Sequence, residues 1–186
     1  MVELTAWRLP KLGTTAERVV REGHCPVLVV QGTAARPYRR LLAAVELPPE
    51  TSLRSVDLGM RLVGTGAKER RVVHVRDDSL DRYLEQGLPL RALHAEQRRL
   101  RAEVSATLQS WVHSEYGRDL RWRLTVHSGD PRIWILAAAR RHVPDLICLG
   151  THARRGLERV FFGSVAQAVL RQAKCDVLIA PPYDAL

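Results

Sequence analysis

The residues best suited to chemistry lie in one fifteen-residue stretch, Gly150-Thr151-His152-Ala153-Arg154-Arg155-Gly156-Leu157-Glu158-Arg159-Val160-Phe161-Phe162-Gly163-Ser164. It leaves an apolar run, DLICL, at a glycine and enters an apolar-periodic segment at Gly163-Ser164. A helix that starts there presents unpaired backbone N–H groups and the positive end of its dipole. Gly163 lets an anion approach, Ser164 adds a hydroxyl, and Arg154, Arg155 and Arg159 add cations. Such a set can cradle phosphate. The same spacing also fits a plain turn followed by a helix cap, and the residues alone leave both readings open. Neither G-x-x-x-x-G-K-[ST] nor G-x-G-x-x-G after a strand occurs, so a Walker phosphate loop and the dinucleotide fingerprint are not expected.

Other candidates carry less. His74, His127 and His152 fall near predicted strand ends, but no ligand spacing such as H-E-x-x-H accompanies them, and a metal site is not expected. Glu46 and His152 could be imagined as an acid–base pair, yet nothing positions a water, so hydrolysis would be weak at most. Trp111, Trp122 and Trp134 fall in helix or strand patterns and are expected in the core or an interface; Trp7 is expected to anchor the N-terminal segment.

The elements that would position these residues alternate. Arg40 to Val45 reads as a buried strand, Glu50 to Val63 as an amphipathic helix stopped by Gly64 and Gly66, and Arg71 to Val75 as a second strand. Residues 79–116 are mostly helical with a break near Gly87-Leu88-Pro89. Arg121 to Val126 is a third strand, and Asp130-Pro131 caps a helix running to His142. Asp145 to Leu149 is a fourth strand; a helix from Ser164 and the strand Asp176 to Ala180 follow. This alternation predicts an α/β fold with a five-stranded, mainly parallel sheet and helices on both faces, a Rossmann-like three-layer sandwich. Right-handed crossovers place the loops after Val45, Val75 and Leu149 on one sheet edge, where ligands of such folds bind.

Residues 13–30 recur in altered form at 163–180, with seven of eighteen positions identical at an offset of 150. The copies read GTTAERVVREGHCPVLVV and GSVAQAVLRQAKCDVLIA. The N-terminal copy is a helix and strand without the rest of a unit, so it must dock on something. Residues 1–36 are therefore expected to be a partial repeat plus linker, and residues 37–186 a complete domain. The strand Cys25 to Val30 is expected to pair with Asp176 to Ala180, within the chain or in a second chain as a homo-oligomer, with helix 14–22 packed beside it through Val19. Equivalent Cys25 and Cys175 would then come near each other, although buried free thiols are the expected state of all three cysteines.

The formal charge is +9, and 26 of the 29 basic residues are Arg. They are spread along the chain and partly interleaved with acids, as at Arg99 and Glu103, which fits solvated faces. No basic-aromatic motif supports nucleic-acid binding. No run approaches a membrane span, and MVELTAWRLP has no basic region followed by an apolar core, so a cytoplasmic protein without a secretory signal is expected.

The stretch DLICLGTHARRGLERVFFGSVAQAVLRQAKCDVLIA resembles the C-terminal signature of universal stress proteins, whose nucleotide-binding members carry G-x2-G-x9-G-[ST]. Here Gly150, Ala153 and Gly163-Ser164 stand at that spacing, and RLLAAVE and VVHV fall where the family has its first two strands. The resemblance covers residues 37–186 and implies an adenine nucleotide alpha hydrolase-like fold that binds ATP or AMP, with Mg as a potential companion. It assigns Glu46 to the nucleoside, the Val75 backbone to adenine, Leu149 and Gly150 to the nucleotide wall, and Gly163, Ser164 and Val165 to the phosphates. Glu46 replaces the family's Asp, and Ala153 replaces its second Gly, where a methyl could crowd the phosphates. The family also contains scaffolds that bind no nucleotide and act through dimerisation or partners.

Overall fold

A computed structural model describes residue 19 and residues 25–31, 36–76, 90–118, 121–151 and 163–182. Six strands form one sheet: β1 (Val27–Val29), β2 (Arg40–Ala44), β3 (Glu69–Arg76), β4 (Trp122–Ser128), β5 (Leu146–Gly150) and β6 (Asp176–Ala180). Their order is β1-β6-β5-β2-β3-β4. The four pairings from β6 to β4 are parallel, as the alternation predicts. The sixth strand, β1, adds antiparallel to β6, so the sheet exceeds the expected five by the docked N-terminal strand. Among the described residues no helix is long and apolar enough to cross a membrane.

The helices cover both faces. On one side lie α1 (Leu53–Val63), entered through a 3-10 turn at Pro49–Ser52, and α2 (Leu90–Tyr116). Val56, Val63, Leu108, Trp111 and Val112 from these helices meet Leu41, Ala43, Val72, Leu146 and Cys148 from the sheet. On the other side α3 (Pro131–His142) and α4 (Ser164–Gln172) bring Ile135, Ala138, Ala166, Val169 and Leu170 against Leu42, Val73, Ile147 and Val177. Alternate residues of β2 and β5 thus serve opposite cores, which is why both strands read as unbroken apolar runs. Each large aliphatic side chain so buried contributes about 1.5–3 kcal/mol. Gly59 lets α1 lie close on the sheet: a Cβ there would stand 3.2 Å from both Cys148 Sγ and Leu41 Cδ1.

Local chemistry sets the ends of α3. Asp130 accepts the Arg132 backbone N–H at 2.8 Å with Pro131 in the first turn, the cap its sequence predicts. At the other end Val143 adopts φ 45°, a left-handed conformation, with its N–H donated to Ala139 O. β3 and β4 both extend beyond their predicted ends, to Glu69 and Ser128. The charged opening of β3 hides a strand residue, for Arg70 is only 8% exposed.

The docking of β1 has a symmetry that the repeat explains. Val27 pairs with Ile179, Leu28 with Leu178 and Val29 with Val177. At the repeat offset of 150, Leu28 and Leu178 are equivalent, and the flanking pairs exchange under a local two-fold through that position. The same antiparallel register carries the equivalent cysteines to opposite ends of the pair. Cys25 and Cys175 are both free, which corrects the expectation that equivalence brings them together. Val19 is helical and 42% exposed. The rest of helix 14–22, Trp7 and the break near residue 88 lie outside the described residues.

Candidate functional site

The strand order turns around β2: β3 follows on one side, whereas β5 lies on the other. Ligands of open α/β sheets bind at the carboxyl ends of strands flanking such a turn. A cleft of about 160 Å³ opens there. Its walls include Val45 and Glu46 after β2, Val75 on β3, Leu149 and Gly150 on β5, and Gly163, Ser164 and Val165 at the start of α4. Seven residues predicted for the site, Glu46, Val75, Leu149, Gly150, Gly163, Ser164 and Val165, thus share one cleft. Ala153 and Arg154, like His152, Arg155 and Arg159, lie outside the described residues.

The floor is held from below. Val45 N–H donates to Val73 O at 3.0 Å, and its carbonyl meets Nδ1 of buried His74 at 2.8 Å. A carbonyl oxygen only accepts, so that bond requires the proton on Nδ1. Glu46 N–H donates to Ser52 Oγ at 3.0 Å, while Ser55 Oγ bonds Ser52 O at 2.8 Å. The 3-10 turn therefore fixes the backbone from which Glu46 projects. It also crosses close over β5, since a Cβ on Gly150 would stand 3.4 Å from Thr51 O.

The start of α4 borders this cleft. The N-cap position is Gly163 itself, in extended conformation, and no side chain of a described residue caps the helix. Ser164 is the first helical residue and stands exposed, so its hydroxyl is not the cap that the plainer reading of Gly163-Ser164 supposed. A Cβ on Gly163 would meet nothing within 4 Å, and its φ of −67° suits any residue. Neither strain nor packing in the described residues demands a glycine there. Thr151 was not predicted as a site residue. It is 7% exposed and lines the cleft; its N–H donates to Ala180 O, yet its Oγ1 is buried without a partner among the described residues. A buried hydroxyl left unbonded costs about 1–3 kcal/mol. The sequence offered only a threonine in a loop, and burial was the missing signal.

Other predicted candidates scatter. His127 stacks on Trp134 at 4.1 Å and 9°, outside the cleft, and the Trp134 indole N–H donates to Ser128 O. Burial, then the Arg101 charge, lowers the His127 pKa below its usual value, favouring the neutral ring. Trp134 is 37% exposed and so lies outside the core, whereas Trp111 is buried. No three His, Cys, Asp or Glu side chains gather as metal ligands among the described residues.

The sequence model of the universal stress protein family matches residues 37–181. The chain belongs to the universal stress protein family. Universal stress protein A homolog 1 of Coxiella burnetii is 31% identical over 147 residues, 76% of this chain and 94% of the relative. A Methanocaldococcus jannaschii universal stress protein is 39% identical over 62 residues, which span only 36% of its length. Among solved structures, a functionally unknown protein from Pseudomonas aeruginosa aligns at TM-score 0.64 with 22% identity, over 98% of this chain and 64% of its own. Family membership and fold are thus shown together, and the universal stress protein assignment agrees with the signature between Asp145 and Ala180.

Proposed function

We propose that this universal stress protein binds an adenine nucleotide, ATP or AMP, across the carboxyl ends of β2 and β5 and signals in a stress response through that bound state. The observation that carries this reading is the start of α4 at Gly163, which no side chain of a described residue caps and which lines one cleft together with Glu46, Val75, Leu149 and Gly150. In this reading Gly163, Ser164 and Val165 hold phosphate through backbone N–H groups and the Ser164 hydroxyl, with Arg154 adding charge. Glu46, set by Ser52, takes a nucleoside hydroxyl; the Val75 backbone meets the base; Leu149 and Gly150 form the wall. A Mg ion accompanying the phosphates would rest on phosphate and water oxygens, with no protein ligand cluster gathered for it among the described residues. Residues 1–36 are, in the same reading, the tail of a further domain of this kind.

A nucleotide-free scaffold is the second reading. The cleft volume of about 160 Å³ favours it, because whole-ligand pockets usually span roughly 300–1,000 Å³. Under the first reading part of the nucleotide lies along the open sheet edge. Mass spectrometry of the purified, denatured full chain separates the two. Release of ATP or AMP supports binding. No released nucleotide, together with no rise in melting temperature at millimolar ATP or AMP, leaves the scaffold.

A further inference from the structure

The opposite end of the strands carries a second concavity. A groove of about 800 Å³ opens at the amino ends of β2, β5 and β6. Arg36, Arg39, Arg40, Lys68 and Lys174 line it, with Asp145 and Asp176 as its acids. Both acids are already engaged. Asp145 accepts the Arg39 and Arg40 backbone N–H groups, each at 2.9 Å, and the Arg40 guanidinium at 3.2 Å. Asp176 accepts Gln31 N–H at 2.8 Å and the Tyr38 hydroxyl at 2.5 Å. These bonds fasten the segment before β2 to the sheet and leave Arg36, Arg39, Lys68 and Lys174 exposed, with no ion pair to a described residue.

A mainly apolar cleft adjoins this groove. About 300 Å³ in volume and lying between the ends of α3 and α4, it is walled by Leu136, Ala139 and Ala173, with Arg140 and Gln172 also in its lining, and shares Val143, Pro144, Lys174 and Cys175 with the basic groove. Burial, with the Asp176 and Asp145 charges, pushes the Cys175 thiol up to about 12, so it stands as a neutral, apolar wall group. Val143, at the junction, is 58% exposed and held left-handed at φ 45°.

We propose that the two compartments form one binding site for a single-chain amphiphilic phosphate, its head among Arg36, Arg39, Lys68 and Lys174 and its chain between α3 and α4. Guanidinium forks and ammonium groups suit a phosphate dianion, and neither compartment alone suits both ends of such a molecule. The site is separate from the carboxyl-edge cleft and stands independently of the nucleotide reading.

The test is calorimetric titration of the full chain with butyl, hexyl and octyl phosphate below micelle formation, beside inorganic phosphate and octyl glucoside. Burial of two methylenes alone gives about tenfold. Octyl phosphate should therefore bind at least about tenfold more tightly than inorganic phosphate, with affinity rising along the series, and more tightly than uncharged octyl glucoside. The Lys68→Gln/Lys174→Gln double variant, folded by its unchanged melting temperature, should lose about tenfold and show a weaker salt dependence. Affinity independent of chain length removes the apolar compartment from the account. Undiminished binding by the folded double variant, or equal binding of octyl glucoside, overturns the proposal.

Discussion

At the scale of single residues, the account turns on Gly163. No described residue requires a glycine there, since an added Cβ meets nothing within 4 Å and φ is ordinary. Aspartate is a better N-cap than glycine by a few tenths of a kcal/mol or more, and its charge suits a helix start. Gly163→Asp should therefore keep or raise the melting temperature while abolishing nucleotide binding, because its carboxylate would sit where phosphate is proposed. A variant that melts several degrees lower would show that Gly163 is structural after all. Ser164→Ala probes the same end differently. Loss of a charge-assisted hydrogen bond should weaken ATP binding by about 1.5–3 kcal/mol, measurable as a Kd ratio against wild type, with stability unchanged. Equal Kd values would remove the Ser164 hydroxyl from the site.

At the scale of elements, two strained or anchored termini make separate predictions. Val143 ends α3 in the left-handed region, which costs an L-residue about 1–2 kcal/mol and glycine almost none. Part of that difference returns as unfolded-state entropy, and Val143 is largely exposed, so Val143→Gly should stabilise by about 1 kcal/mol in denaturant unfolding. A lower midpoint would show that its side-chain contacts outweigh the strain. Asp145 anchors the chain entering β2. Burial raises its pKa, but the Arg39 and Arg40 N–H bonds and the Arg40 guanidinium outweigh that, leaving it below the ordinary carboxylate value. A folded pKa below the unfolded one gives stability that is present above about pH 3.9 and lost as pH falls through the folded value. Asp145→Asn should therefore cost about 1 kcal/mol at neutral pH and flatten the acid side of the stability curve. An unchanged acid slope would contradict this anchor.

Much of this architecture was legible because local and global signals agree. The unbroken apolar runs of β2 and β5, the Asp130-Pro131 cap and the Gly163-Ser164 helix start each specify one outcome, and together they bring Glu46, Leu149 and Ser164 to one edge. What escaped depends on tertiary contact. The burial of Thr151, the stacking of His127 on Trp134 and the strand role of Arg70 are set by neighbours distant in sequence, which periodicity does not encode.

At the scale of the whole molecule, β1 covers an edge of β6 that would otherwise present unpaired backbone groups. By the local two-fold through Leu28 and Leu178, an uncovered β6 is expected to pair with a copy of itself in the same register, which truncation tests. Deleting residues 1–31 should uncover that edge and raise the mass seen by light scattering or lower solubility, whereas the full chain keeps its edge closed. A truncated protein of unchanged mass, melting temperature and solubility would show that β1 contributes nothing to association.

The central claim is a nucleotide at the carboxyl edge between β2 and β5. Its most direct test is calorimetric titration of ATP and AMP into the full chain and into Gly163→Asp at the same temperature and salt. Wild type should bind saturably with one-to-one stoichiometry, and a Gly163→Asp protein of equal or higher melting temperature should not bind. Absence of binding to the wild type at millimolar nucleotide, or undiminished binding to Gly163→Asp, would contradict it.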